Sequence, residues 1–336
     1  MSSNIVFKSR LVWIDWAKAI LIILVVIGHC GGIFSPLIYS FHMPAFFFIS
    51  GYLANYDKPD QGKIKSSIGM IKAIIIYNFL FIILNAVKIY FTSDGLSHSN
   101  GEFTVEEVLF RPILGIFFCN YFDYQWTNPL LPQFWFVWVL IFIKFIYRYI
   151  FKLTERQLII ISIFCLLYTA VIINLDFHTF YIIDRSLVAL PFFILGNLFR
   201  KESTVVYKLI TINSNRKLCI TTILFLLGLL YFWYNIDIHR PDLFALSLGS
   251  SALLYYIIAL SGTMLLICFI KKMQRNHIIE IISTGTFGVL ALHLYMLHDI
   301  LFLEPTGFFA TTIILILLYP YILFANKYCP ILLGKK

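Results

Sequence analysis

Charge is scarce in this 336-residue chain: Asp, Glu, Lys and Arg make up 13% of it, about half the share of an ordinary soluble domain. That composition excludes a water-facing globular surface of any size. No internal repeat, low-complexity tract or attached polar domain interrupts it, so repeat solenoids are not expected. The six cysteines (Cys30, Cys119, Cys165, Cys219, Cys268 and Cys329) are scattered, with neither a C-x-x-C pair nor zinc spacing, and give no metal site. Basic residues outnumber acidic ones, 26 to 17, for a net charge of +9, yet no basic run exceeds two residues. Nucleic acid is therefore not an expected partner.

What is present is apolar. Hydrophobic residues form 60% of the chain and aromatic ones 18%, with a mean hydropathy of +0.86. The pattern predicts an all-α, polytopic membrane helix bundle, read as one domain over 1–336 and embedded in a lipid bilayer. Apolar stretches at 11–29, 36–54, 67–91, 132–151, 157–174, 186–199, 218–235, 246–270, 278–298 and 307–325 predict about ten transmembrane helices. With the N-terminus inside, nearly all interhelical Lys and Arg fall in inner segments, and only Arg111, Arg185 and Arg240 lie outside. By the positive-inside rule both termini are then cytoplasmic, and this bias accounts for the net charge. A cleaved signal peptide is not expected, because Asp15 and Lys18 interrupt the first apolar stretch and no small-residue cleavage site follows.

The first stretch, LVWIDWAKAILIILVVIGH, carries Asp15, Lys18 and His29. Charged groups at mid-span cost about 2.5–3.5 kcal/mol each on insertion scales, so a plain anchor would omit them. Eleven positions from Lys18 to His29 make about three helical turns, placing both side chains on one stripe roughly 16 Å apart. Asp15 and Lys18 are i, i+3 neighbours. Spacing alone also allows a snorkelling Asp–Lys pair near the membrane surface with His29 as a polar cap.

Inside-first topology brings His29, His42 and His293 to one depth in the outer half, from three different spans. Histidine is the usual general base near neutral pH, and a hydroxyl nucleophile needs one as it attacks an acyl carbon. Any single one of the three is more often a packed, hydrogen-bonded polar residue; it is the three together that point to a site. Gln133 and Trp135 open the fourth span, while Asn78, Asn85 and Asn197 lie within others; such groups turn inward, to a cavity or to a neighbouring helix. In the long connection 92–131, Thr104 and Glu107 predict a capping box before a short surface helix. The FFCNYFDYQW cluster that follows suits either sugar stacking or an interfacial aromatic belt.

The segments WIDWAKAILIILVVIGH, FHMPAFFFISGYL, QFWFVWVLIF, ALPFFILGNLFRK and STGTFGVLALHLYMLH resemble, from end to end, the acyltransferase-3 family of integral-membrane O-acyltransferases, particularly its fucose 4-O-acetylase-like branch. The most specific element is a basic residue, ten positions and a histidine, here Lys18 to His29. The resemblance implies transfer of an acyl group, usually acetyl, from cytoplasmic acyl-CoA to a hydroxyl of a carbohydrate acceptor. It implies His29 as the essential catalytic residue, Lys18 as its companion, and Asp15, His42, Gln133, Trp135 and His293 around the substrates. Acetyl-CoA would be a donor substrate rather than a bound cofactor, and the setting a bacterial cytoplasmic membrane crossed many times. Two positions depart from the family's usual pattern. Lysine at 18 stands where arginine is commoner, without its planar fork, and Gln133 stands where histidine is commoner and cannot act as a base.

On this reading the loop bearing Arg200, Lys201, Lys208, Arg216 and Lys217 attracts the donor phosphates, and His29 deprotonates the acceptor or carries the acyl group briefly. The alternative is a secondary transporter or flippase for a glycolipid or small solute. Such carriers usually keep acids deep in several spans, whereas Asp15 is the one acid clearly inside a span here.

Overall fold

The computed structural model describes residues 11–30, 34–56, 61–91, 109–118, 130–175, 179, 181–211, 215–234, 241–249, 251–300 and 307–335. The described residues form helices and turns; their β structure is limited to an isolated antiparallel bridge between Asp242 and Ser247. In chain order the helices are α1 (Val12–His29), α2 (Ser35–Tyr39), α3 (His42–Leu53), α4 (Gln61–Phe91), α5 (Arg111–Phe118), α6 (Trp135–Ile150), α7 (Glu155–Leu175), α8 (Tyr181–Phe199), α9 (Val205–Thr211), α10 (Asn215–Tyr234), α11 (Ala252–Ile270), α12 (His277–Thr284), α13 (Thr286–Ile300) and α14 (Phe308–Tyr328). Short 3-10 turns, Pro132–Phe134 and Pro330–Leu333, precede α6 and follow α14. Thr104, Glu107 and residues 119–126 of the aromatic cluster lie outside the described residues. The short helix expected in that connection is α5, tied to α6 where Trp138 donates from its indole to the Ile116 carbonyl (2.8 Å).

Seven helices among the described residues are long and apolar enough to cross a membrane, and α12 with α13 makes an eighth if that bent pair is one span. The chain is thus a multi-pass membrane protein. Two of the ten expected spans take another form. The stretch 36–54 is not one helix: the chain breaks at Ser40 and Phe41, and α3, at 12 residues, reaches only about 18 Å against a bilayer core of about 30 Å. His42 stabilises the break by donating from Nδ1 to the Ile38 carbonyl at the end of α2 (2.7 Å). The stretch 218–235 falls almost wholly within α10, a 20-residue helix whose described apolar part is Leu218–Gly228. The expected span 278–298 is bent by 77° between Thr284 and Thr286. Gly285 sits at the corner against Ile322 of α14, where a Cβ would come within 2.4 Å of that side chain.

α1 is the hub. It packs against α2, α3, α11, α12, α13 and α14, burying Ala17, Ala19, Leu21, Ile22, Val25, Val26 and Gly28. A helix apolar on nearly all sides must be enclosed by protein or lipid, and here its small residues admit close neighbours. The tightest crossing is α3 on α8: a Cβ on Gly51 would lie 2.0 Å from the Phe193 carbonyl oxygen, and one on Gly196 would lie 1.9 Å from that of Phe48. Paired glycines of this kind let two backbones touch, which is how helices gain packing energy where lipid supplies no hydrophobic drive. Asn197 secures the crossing. Its Nδ2 donates to the carbonyls of Gly51 (3.1 Å) and Ala54 (2.7 Å), and its Oδ1 accepts from Tyr147 (2.9 Å).

Candidate active site

Lys18, Ile22, Val25 and His29 form a continuous stripe on α1, at steps of four, three and four residues, and all four line one cavity of about 540 Å³. That volume lies within the range of small-molecule sites, roughly 300–1,000 Å³. α2, α3, α4, α6, α12, α13 and the last turn complete the wall. The cavity runs along α1 past Ile22 and Val25, so its Lys18 and His29 ends lie about 16 Å apart.

The His29 end gathers aromatic and imidazole groups. The rings of His29 and His293 lie 5.1 Å apart, those of His29 and Tyr39 6.1 Å, and those of Tyr39 and His42 5.0 Å. The Tyr39 hydroxyl stands 3.3 Å from His29 Nδ1. His29 itself is exposed, whereas His42 and His293 are buried. His293 Nδ1 faces two acceptors, the carbonyls of Val289 (3.0 Å) and Leu290 (2.9 Å). Carbonyl oxygens only accept, so Nδ1 carries the proton and the neutral ring presents a lone pair on Nε2. That Nε2 is buried and has no partner, and so is Gln133 Oε1. Gln133 Nε2 donates to the Ala291 carbonyl (2.9 Å), which fixes the amide's orientation. Two buried acceptors without donors are costly in an apolar setting unless a ligand hydroxyl or water meets them.

Trp135 lines the same end beside Phe244, ring to ring at 5.5 Å. Phe244 belongs to the turn 242–247, held where Arg185 donates from Nε to its carbonyl (2.6 Å) and stacks over its ring at 5.2 Å. Asp242, on that turn, also lines the cavity. Tyr39, Asp242 and Phe244 were absent from the sequence-based expectations. The expected span 246–270 begins inside this turn, whereas α11 begins only at Ala252, and nothing local marks 242 as a site residue.

The Lys18 end is lined by Ser66, Ser283, Thr284, Thr286, Gly334 and Lys335. Asp15 does not line the cavity. It is buried behind it, accepting from the Ser283 hydroxyl (2.7 Å), and so connects α1 to the bend between α12 and α13. Nearby, Trp16 donates from its indole to the Gln274 carbonyl (2.7 Å). Lys271, just past α11, lies over the rings of Phe199 (4.8 Å) and Trp13 (5.9 Å). Burial there lowers the pKa of its ammonium from the ordinary lysine value.

Other expected polar residues serve packing. Asn78 donates to Ile74 within its own helix (2.9 Å), and Asn197 holds the α3–α8 crossing. Arg200, Lys201 and Lys208 do not line the cavity, and the side chains of Arg216 and Lys217 lie outside the described residues. Two further buried acids stand in helices: Asp184 accepts from Tyr168 (2.6 Å) and from the Thr179 amide, and Glu280 pairs with Arg275 (2.6 Å). Both are hydrogen-bonded at helix starts rather than turned into the cavity. Among the described residues no group of three His, Cys, Asp or Glu could hold a metal ion, and the five described cysteines form no disulfide with one another.

The profile of the acyltransferase domain family matches residues 11–325, nearly the whole chain. No curated protein and no solved structure matches it.

Proposed function

The chain belongs to this acyltransferase family, and on that premise we propose that it is a membrane O-acyltransferase that takes acetyl from cytoplasmic acetyl-CoA and places it on a hydroxyl of a cell-surface glycan or its lipid-linked precursor. The Lys18 end then faces the cytoplasm, with both termini, and the His29 end faces the acceptor in a bacterial cytoplasmic membrane. The observation that carries this reading is the single cavity lined at opposite ends by Lys18 and His29. Its length is comparable with an extended pantetheine arm, so the thioester can reach His29 while the phosphates stay at the Lys18 end.

In the proposed reaction the acceptor oxygen attacks the thioester carbonyl carbon as His29 removes its proton. The tetrahedral intermediate collapses with loss of the CoA thiolate, which takes a proton to leave as thiol. His29 is the exposed imidazole of the three and suits the base role. His293, fixed with its lone pair on Nε2 and its ring centroid 5.1 Å from that of His29, stabilises the imidazolium that forms. Gln133 Oε1 accepts from an acceptor hydroxyl, and Trp135 with Phe244 offers a sugar ring an apolar face.

Purified protein incubated with radiolabelled acetyl-CoA and the glycan fraction of its own cells should label the glycan. His29→Ala should abolish labelling while the protein still inserts and purifies normally. Ordinary turnover by that variant would refute the base assignment, and glycan or solute uptake without label transfer would favour a carrier. The family match and the hydrogen-bonded state of Asp184 and Glu280 both weigh against the carrier.

A further inference from the structure

We propose that Gln133 sets the class of acceptor: its side-chain carbonyl takes a hydrogen bond from a second hydroxyl beside the one that reacts, so the substrate is a vicinal diol rather than a simple alcohol. This rests on the acyltransferase reading above, with His29 as the base.

Gln133 stands in the turn Pro132–Phe134 that leads into α6, is 4% exposed, and lines the cavity. Its neighbour Phe134 is buried between the rings of Tyr77 (6.1 Å) and Phe287 (5.5 Å), which seats the turn. The amide is oriented from α13, where Gln133 Nε2 donates to the Ala291 carbonyl (2.9 Å). A carbonyl oxygen only accepts, so exchanging Nε2 and Oε1 would set two acceptors face to face. Oε1 is thereby held as a buried acceptor with no donor, a costly state unless something from outside the fold meets it. His293 Nε2 is likewise buried without a partner, but the cavity lining includes Gln133 and not His293. Ala291 and His293 are two residues apart on α13, about 3 Å of rise, and the His293 ring centroid is 5.1 Å from that of His29. One helix thus places the open acceptor and the base along the same stretch of the cavity.

A hydroxyl carries one proton. The hydroxyl that attacks the thioester gives that proton to His29 and has none left for Gln133. A second donor must therefore arrive with it. The adjacent hydroxyl of a sugar ring, or of any vicinal diol, is that donor, whereas a simple alcohol would leave Oε1 desolvated and unpaired. Sites built around such a bond reject the analogue lacking the group far more strongly than an apolar pocket rejects a small change of size.

The probes are methyl glycosides of hexoses, each compared with its analogues lacking one hydroxyl, with radiolabelled acetyl-CoA as donor. In the wild type, loss of the hydroxyl adjacent to the acetylated one should lower kcat/KM about tenfold or more, the scale of one hydrogen bond to a buried group. Gln133→Met should erase most of that preference with donor KM unchanged, which shows that the cavity persists. Gln133→Glu, when protonated, keeps both the contact to Ala291 and an acceptor oxygen, and should retain the preference. Equal kcat/KM for parent and deoxy glycosides in the wild type, or an undiminished preference in Gln133→Met, overturns the proposal and gives Oε1 to water, with the acyltransferase reading intact. Binding of the same glycosides without donor, followed by saturation-transfer NMR, is independent of turnover: weaker binding to Gln133→Met supports the diol site, and equal binding overturns it. If the glycosides bind in this Gln133-dependent way but receive no acetyl, the acyltransferase reading fails and the diol site stands. A wild type that labels its own glycan yet neither binds nor acetylates any of the glycosides overturns the diol site alone.

Discussion

At the scale of single residues, the site is built on hydrogen-bond bookkeeping that leaves two acceptors open. His293 Nε2 and Gln133 Oε1 are buried without donors, and each should therefore matter to a hydroxyl substrate or to the base beside it. Replacing His293 with phenylalanine keeps a ring in its slot and removes the lone pair; kcat should fall about 10²-fold or more, the scale of acid–base support, with donor KM little changed. A kcat within twofold of wild type would assign His293 to packing alone. Gln133→Met should raise acceptor KM about tenfold, the worth of one hydrogen bond to a buried group, and leave donor KM unchanged. An equal rise in both KM values would point to collapse of the cavity instead. The Lys18–His29 relation was legible from sequence because helical periodicity is local: eleven residues make three turns whatever packs around them. The role of Asp15 was not, because its partner Ser283 lies 268 positions away, and no local pattern distinguishes a carboxylate that lines a cavity from one standing behind it.

At the scale of elements, the helices carry their crossings in small residues. Gly196→Ala places a methyl group 1.9 Å from the Phe48 carbonyl oxygen, a clash with backbone that α3 and α8 relieve only by separating. The expected loss is about 1–3 kcal/mol, as for other overpacked contacts, seen as a lower thermal transition in detergent. An unchanged transition would show that this crossing is looser than the glycine pair implies. Asn197→Ala should cost a similar amount, since two carbonyls and the Tyr147 hydroxyl lose their partner. Apolar stretches announced the long helices, yet composition did not reveal the breaks. The stretch 36–54 is mostly apolar, and it divides at Ser40 and Phe41, where Pro44 has no N–H to donate to the Ser40 carbonyl and His42 donates to the Ile38 carbonyl instead. The bend near Gly285 is a tertiary event, set where α14 passes over the glycine. Such interruptions are tolerated at membrane depth where protein satisfies the backbone. Here the bend also turns Ser283, Thr284 and Thr286 to the cavity.

At the scale of the whole molecule, the bundle acts as a wall around one passage, and its two ends differ in chemistry: lysines and hydroxyls at one, imidazoles and aromatics at the other. That contrast arises from elements far apart in sequence, with Lys335 brought to Lys18 and Asp242 to His29 only by the complete fold. If the passage carries the donor, closing its waist should stop transfer without touching either end. Val25→Trp places an indole between Lys18 and His29, and should retain CoA binding while losing at least 10²-fold in transfer, since the thioester can no longer reach near-attack distance. Full transfer by this variant would mean that the acyl group travels by another route. The most direct test is the structure of the protein bound to a non-hydrolysable acetyl-CoA analogue. The analogue should lie along the α1 stripe, phosphates at the Lys18 end and acyl carbon against His29. An analogue bound outside this cavity, or in it with its ends reversed, would contradict the proposed mechanism.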